Sequence, residues 1–285
     1  MAVIIGIDVG GSTTKIVGYR DDGKLISMQK VEAADPLTSA YGALGKFINE
    51  NALALTEVKQ IILTGVGSSL FKKDIYGIPT KSVDEFQAIG LGGLALSGKE
   101  EGLIVSMGTG TAFVRASKEG IRHIGGSGVG GGTVLGLCGK LCGASSFRTV
   151  VDMSEGGKLG KVDLNIEDIS KGVISTLSPD TTASNFGKME DGVTGADLAV
   201  GVLNMVFQTI GMMAVFSCRN DSTQDVILTG TLTQVPYAKR VFAGLEKLHK
   251  INFIIPKNAI YATATGAALS YIYQNARAQA KPGKK

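Results

Sequence analysis

No tryptophan occurs among the 285 residues, which include only three cysteines, two histidines and six prolines. So few Cys and His residues exclude most metal frameworks. An odd, sparse cysteine count points to reduced thiols rather than a disulfide scaffold. Cys138 and Cys142 fall within one helical turn of each other and Cys218 stands alone, so all three read as plain thiols. Charged residues make up 19% of the chain, and the net charge of +4 is dispersed, part of it in the tail "RAQAKPGKK". No dense basic stripe with interleaved aromatics is present, so no nucleic-acid partner is expected. The first apolar run meets Asp8 quickly and lacks a basic leader, so a cytoplasmic location is expected. One apolar stretch, "LAVGVLNMVFQTIGMMAVFSC" (198–218), is long enough to span a bilayer. Asn204, Gln208 and Thr209 interrupt it and no second such stretch exists, so it reads as a buried helix at a core or subunit seam, without a membrane partner.

What the chain has in excess is glycine. There are 40, roughly twice average usage, clustered in loops after apolar runs, as in α/β proteins whose strands end in ligand-facing turns. "AVIIGID" reads as a buried strand, and "STTKIVGYRDDGKLISMQKVEA" as two more strands joined by a "DDG" turn. A helix, a strand into a Gly loop, a short strand and a helix from near Asp84 follow, giving β-β-β-α-β-α. "EGLIVSMGTGTAFVRASKEGIRHIGG" restarts the pattern with three strands. A glycine loop opening a helix, a loop-rich stretch and the long apolar helix come next. The strand "QDVILTG", a helix after Pro236, the short strand "INFIIP" and a helix from Ala262 close the chain. The polar "SGKEEG" suggests two lobes, 1–100 and 101–285, and the tail is expected to fray after Gln274.

Three glycine loops carry the chemistry. "GIDVGGSTTK" (6–15) lacks the GxxxxGK[ST] of a P-loop, and the β-branched residues after Gly11 return as a strand, not the helix of a dinucleotide fingerprint. It is a β-hairpin tip. Gly10 and Gly11 let backbone N–H groups approach an anion, with Ser12 and Thr13 hydroxyls as further donors. Lys15 can reach a terminal phosphate as a point charge. Asp8 would repel phosphate, so Mg²⁺ is expected between them, held through water. A glycine pair at such a tip is equally explained by a tight turn alone. What adds weight is repetition: "SMGTGTAFV" (106–114) is a second such hairpin, and "VILTGTL" (226–232) a third strand ending in a Thr/Gly loop. That order fits a nucleotide held between two lobes.

With these motifs the sequence resembles the acetate and sugar kinase/Hsp70/actin superfamily and, more narrowly, the type II pantothenate kinases, along nearly the whole chain. "SVDEFQAIGLG" is similar to the segment carrying that family's catalytic Glu, which falls on Glu85. "GGSGVGGGTVLGL", "TASNFG" (182–187) and "ATATGAAL" (262–269) resemble later family segments. The resemblance implies a two-lobed actin-like ATPase (ribonuclease H-like) fold of α/β class, mixed sheets with helices, and a nucleotide in the inter-lobe cleft. It implies ATP and Mg²⁺, and transfer of phosphate to the primary hydroxyl of pantothenate, the first step of coenzyme A biosynthesis. Gly10, Gly11, Ser12, Thr13, Gly108, Thr109, Gly110 and Thr111 would hold the phosphates. The loop of Gly130, Gly131, Gly132 and Thr133 opens a helix, so its N–H groups favour an anion. Gly230 would lie against the adenosine, and the helix at 198–218 would form a homodimer seam.

No acid lies in the second hairpin, where Met107 precedes Gly108, so the base must come from elsewhere, and Glu85 fits. Its bland alternative is a solvated first-turn acid; for neighbouring Asp84 the bland reading is a helix N-cap. The family commonly has an Arg ten residues before the end of the GGGT loop, where this chain has His123. A histidine cannot make the arginine fork, so His123 marks a departure at the expected substrate side, or is an ordinary strand histidine. Rival readings are the activator ATPase of a 2-hydroxyacyl-CoA dehydratase, which shares the "GIDVGGST" start, a sugar or N-acetylhexosamine kinase of the same fold, and a nucleotide-dependent regulator without turnover.

Overall fold

The computed structural model describes residues 2–11, 13–32, 35–171, 177–219 and 224–280. In chain order its elements are β1 (Val3–Val9), β2 (Thr14–Arg20), β3 (Leu25–Val31), α1 (Pro36–Glu50), β4 (Val58–Thr64), β5 (Thr80–Ser82) and α2 (Glu85–Ser97). The second part adds β6 (Gly102–Met107), β7 (Thr111–Ser117), β8 (Gly120–Ser127), α3 (Gly131–Cys142), α4 (Phe147–Ser154), β9 (Leu164–Asn165), α5 (Ile166–Ile169) and β10 (Thr182–Ser184). It ends with α6 (Gly195–Cys218), β11 (Asp225–Thr229), α7 (Pro236–His249), β12 (Asn252–Ile254) and α8 (Ala262–Ala280).

Local chemistry explains the boundaries. The "DDG" turn closes with Gly23 N donating to the Arg20 carbonyl (2.9 Å) and Lys24 N to Asp22 Oδ1 (2.9 Å). Asp35 caps α1 by accepting from Thr38 N at 2.7 Å, with Pro36 in the first turn, and Asp84 caps α2 by accepting from Gln87 N at 3.0 Å. The apolar pattern suggests α6 from Leu198. It begins at Gly195 because Thr194 and Asp197 form a reciprocal capping box. The final helix continues past Gln274 to Ala280, correcting the expected fraying; the alanine-rich "NARAQA" favours helix.

The two five-stranded sheets share one plan. The first has the order β3-β2-β1-β4-β5 and the second β12-β11-β6-β7-β8. In each, three antiparallel strands continue into two parallel ones. Side-chain parity assigns the faces. Val3, Ile5, Ile7 and Val9 of β1 pack with Leu44 and Phe47 of α1, while Ile4 packs with Ala264 and Ala268 of α8. In the second sheet Leu103, Val105 and Met107 face Leu203 and Phe207 of α6, whereas Ile104 and Val114 face Ile89 of α2. The result is helix, sheet, a middle layer of α2 and α8, sheet, helices. All seven β1 residues are buried, which is why the strand is a continuous apolar run.

The middle layer is packed backbone to backbone. A methyl at Gly92 of α2 would collide with the Ala262 carbonyl of α8, and one at Gly266 of α8 with the Ala88 carbonyl. "ATATGAAL" is therefore a helix–helix contact. It fastens α2 to the first sheet through α8, so the last helix packs on the first-half sheet.

Candidate active site

By β1 parity Asp8 points to the α2–α8 face, and the register sets Lys15 of β2 opposite it. Lys15 Nζ lies 3.7 Å from Asp8 Oδ2, and both side chains are nearly buried, 11% and 12% exposed. Burial pushes the Asp8 carboxyl above its usual range, and Lys15 pulls it back. Lys15, expected to address a phosphate, thus already neutralises a buried carboxylate. The loop after β4 covers the pair: Gly65 has φ +85°, and a methyl there would come 2.6 Å from Asp8 Oδ1. Nothing local in the sequence marks Gly65, because its neighbour is set by the parallel β1–β4 pairing.

Glu85 enters from α2. Its carboxyl is also pushed up, first by burial and then by the charges of Asp8 and Asp84, with Lys15 opposing. Glu85, Asp8 and Lys15 therefore share one electrostatic site built from three elements, β1, β2 and α2. The first turn of α2 is clipped to the second sheet. Phe86 stacks on His123 with ring centroids 3.8 Å apart and planes 12° apart, and Gln87 Nε2 donates to the Ile121 carbonyl at 3.3 Å. His123 is thus brought beside the residue following Glu85. Arg122 lies opposite Arg115 on the other face of the sheet and is turned away from α2.

Gly10, Gly11 and Thr13 lie at the tip between β1 and β2, where Gly10 N donates to the Thr13 carbonyl at 3.2 Å. Ser12 lies outside the described residues. The second hairpin is closed by Gly108 N donating to the Gly110 carbonyl at 2.9 Å. It is docked on the N-terminus of α3: Gly131 N donates to the Gly108 carbonyl (2.8 Å) and Gly132 N to the Thr109 carbonyl (2.9 Å). Gly130 N donates to Thr133 Oγ1 (3.1 Å), Thr133 Oγ1 to the Gly128 carbonyl (3.0 Å), and Thr111 Oγ1 to the Val129 carbonyl (2.8 Å). This corrects the expectation that the N–H groups of Gly130, Gly131 and Gly132 face an anion. Helix-terminal donors need partners, and here the hairpin's carbonyls and Thr133 supply them. The glycines allow the contact: a methyl on Gly130 would come 2.6 Å from the Thr109 carbonyl oxygen.

At the third loop Gly230 has φ +88°, and the direction a side chain would take is filled by the Met107 backbone, 2.5 Å from its carbonyl oxygen. Its being glycine is set by that strand contact rather than by an open ligand face. The "TASNFG" segment is held by Asp163, which is fully buried. Its carboxylate accepts from Thr182 Oγ1 (3.2 Å), Asn185 Nδ2 (3.1 Å), Phe186 N (2.9 Å) and Asn204 Nδ2 (2.8 Å). A buried carboxylate with four donors is a structural hub.

Among the described residues no group of three His, Cys, Asp or Glu side chains is arranged to hold a metal. Asp8 is still a suitable ligand for an ion that keeps most of its water and shares phosphate oxygens, as Mg²⁺ does. One described helix, α6, is long and apolar enough to cross a membrane, and 67% of its apolar window is buried inside the protein.

Residues 102–240 match the family model described as Fumble. Over 237 residues the chain is 29% identical to a type II pantothenate kinase of Bacillus cereus, covering 80% of this chain and 83% of that one. It is 26% identical to the type II pantothenate kinase of Staphylococcus aureus, with 80% and 84% covered. Among solved structures, the (R)-2-hydroxyglutaryl-CoA dehydratase component A of Acidaminococcus fermentans superposes with a TM-score of 0.64 at 14% identity, over 97% of this chain and 100% of that one. The activator of the 2-hydroxyisocaproyl-CoA dehydratase from Clostridium difficile, with bound ADPNP, gives 0.63 at 16%, over 99% and 100%. At such identities these likenesses speak to fold alone, and they bear out the actin-like ATPase architecture of mixed sheets and helices.

Proposed function

We propose that the chain belongs with the type II pantothenate kinases and is an ATP-dependent kinase that phosphorylates the primary hydroxyl of pantothenate. The observation carrying the reading is the convergence of Glu85 with the Asp8–Lys15 pair beside a phosphate-type hairpin. The nucleotide would lie in the cleft between the lobes, its phosphates at Gly10, Gly11, Ser12 and Thr13 and at the exposed tip of the second hairpin around Thr109. The loop from Gly130 to Thr133 would act by fixing that hairpin. Asp8 would hold Mg²⁺ through water, and the ion when bound neutralises charge on the β- and γ-phosphates.

Glu85 would accept the proton of the substrate hydroxyl as its oxygen attacks the γ-phosphorus and the bond to the β-phosphate breaks. A carboxyl shifted up by burial is a better base near neutrality than a solvated one. His123, held flat on Phe86, would face the substrate at the mouth of the site. The half-exposed stripe of α6, with Met205, Met212 and the 56% exposed Phe216, supports a homodimer through that helix. An activator role like that of the dehydratase proteins is not favoured: Cys138 is buried and its thiol is pushed up to about 12 by burial and by Cys142, which disfavours a ligand thiolate.

The test is a coupled ADP-release assay on the purified protein with ATP and Mg²⁺, comparing pantothenate, hexoses, N-acetylhexosamines and no acceptor. Pantothenate-dependent release supports the reading. Release that ignores pantothenate, or follows a sugar, overturns it.

A further inference from the structure

Thr64, the last residue of β4, is fully buried, and its Oγ1 has no hydrogen-bond partner among the described residues. The hydroxyl lies too deep to meet a ligand, so what it can serve is a neighbouring side chain. The fold narrows the neighbours. Ile62 packs with Ala88 of α2 and Ala267 of α8, and by strand parity Thr64 faces the same side. The parallel register sets Thr64 beside Asp8 of β1, which faces that side too. On the other flank β5 pairs with β4, and Val83 N donates to the Leu63 carbonyl at 2.9 Å, just before Asp84 and Glu85. Thr64 therefore sits between the Asp8–Lys15 pair and the strand-to-helix turn that delivers Glu85.

Asp8 lacks a donor on that same flank. Its Oδ2 faces Lys15 on β2, at 3.7 Å. Its Oδ1 lies toward β4, 2.6 Å from where a Gly65 methyl would sit, and among the described residues no hydrogen bond reaches it. A bare acceptor on a nearly buried carboxylate thus stands beside a bare, buried donor on the adjacent strand. The Cβ of a threonine carries a methyl and a hydroxyl, and one χ1 step moves the hydroxyl to the next staggered position. We propose that Thr64 is a positioning residue, whose hydroxyl donates to Asp8 Oδ1 and holds that carboxylate when Lys15 turns from Asp8 to the phosphates of the nucleotide. The inference rests on the nucleotide reading above and adds the residue that frees Lys15. Without such a donor, release of Lys15 would leave the carboxylate with no hydrogen bond inside the protein, which is costly in a buried site. A hydroxyl-to-carboxylate bond is charge-assisted and among the stronger ones. Lys15 can then serve twice, neutralising Asp8 in the free chain and a phosphate in the loaded one.

Isothermal titration of the full chain with ADP and with tripolyphosphate, both in the presence of Mg²⁺, tests it when read beside urea unfolding of the ligand-free protein. Thr64→Val keeps the shape and removes the hydroxyl. Because that hydroxyl is bare in the free chain, the variant should unfold at a urea midpoint equal to or above that of wild type. It should nevertheless bind both ligands about tenfold or more weakly. Thr64→Ser keeps the hydroxyl and loses a buried methyl, so its urea midpoint should fall. Its affinity for both ligands should stay within about threefold of wild type. Binding and stability then move in opposite directions, which a merely structural threonine would not produce. A folded Thr64→Val protein with wild-type affinities, or a Thr64→Ser protein as weak as Thr64→Val, would overturn the role of Thr64 and leave the phosphate site standing. So would a Thr64→Val protein that loses stability and affinity together. A wild-type protein that binds neither ligand would overturn the nucleotide reading and this inference with it.

Discussion

The first hairpin, between Val9 and Thr14, and the second, between Met107 and Thr111, stand at matching places in two sheets of one topology. In each, the outermost strand pair is Val9–Thr14 or Met107–Thr111. One step further in, the first sheet pairs Asp8 with Lys15 and the second pairs Ser106 with Ala112. Parity turns Asp8 and Ser106 toward the α2 side of their sheets. The first hairpin therefore brings an acid and a base to the α2 side of its sheet, and its tip stands clear: a methyl on Gly11 would meet nothing within 4 Å. The second brings no charge and is instead fixed by three backbone and hydroxyl bonds to the entry of α3. One frame is used twice, once to position charge and once to position backbone.

Substitutions at matched places can break this contrast. The largest stability effect is expected at the charged pair. Lys15→Met leaves Asp8 buried and unpaired and should cost about 3–5 kcal/mol, read by urea unfolding; Ser106→Ala, at the matching step, should cost under about 1 kcal/mol. Equal losses would remove the distinction. Next comes the docking contact. Gly130→Ala drives a methyl into the Thr109 carbonyl and should cost about 1–3 kcal/mol while weakening tripolyphosphate binding. Gly11→Ala, with open space, should stay within about 0.5 kcal/mol in stability. A neutral Gly130→Ala would show that the second hairpin needs no such clamp.

The smallest effect is electrostatic. Glu85 has a folded pKa above its ordinary 4.5, so the folded ligand-free protein holds its proton more tightly than the unfolded chain. Below about 4.5 the carboxyl is protonated in both states and carries no penalty. As pH rises through the folded value, ionisation in the buried site erodes stability. Glu85→Gln should therefore unfold at a higher temperature than wild type at neutral pH, with the gain vanishing below about pH 4.5. A gain that grows toward acid would mean that the sign of the shift is wrong.

Local pattern carried much of this into view from the sequence. The continuous apolar β1, the "DDG" turn, the Asp84 cap and the return of the chain as a strand after Gly11 all follow from residue type and spacing, and each is found. Pairings across long stretches of chain were hidden. Lys15 reads as a phosphate ligand until the β1–β2 register sets it on Asp8. The three glycines at 130–132 read as an anion nest, and only the fold brings the Gly108 and Thr109 carbonyls to their N–H groups. Gly266 and Gly92 carry no signal of their mutual contact, being 174 positions apart.

The most direct measurement is turnover and nucleotide binding of Glu85→Gln side by side with wild type, using pantothenate, ATP and Mg²⁺. The expected result is a loss of about 10²–10⁴-fold in pantothenate-dependent ADP release with ATP affinity unchanged within about threefold. Near-normal turnover in that variant would contradict the role of Glu85 as the base.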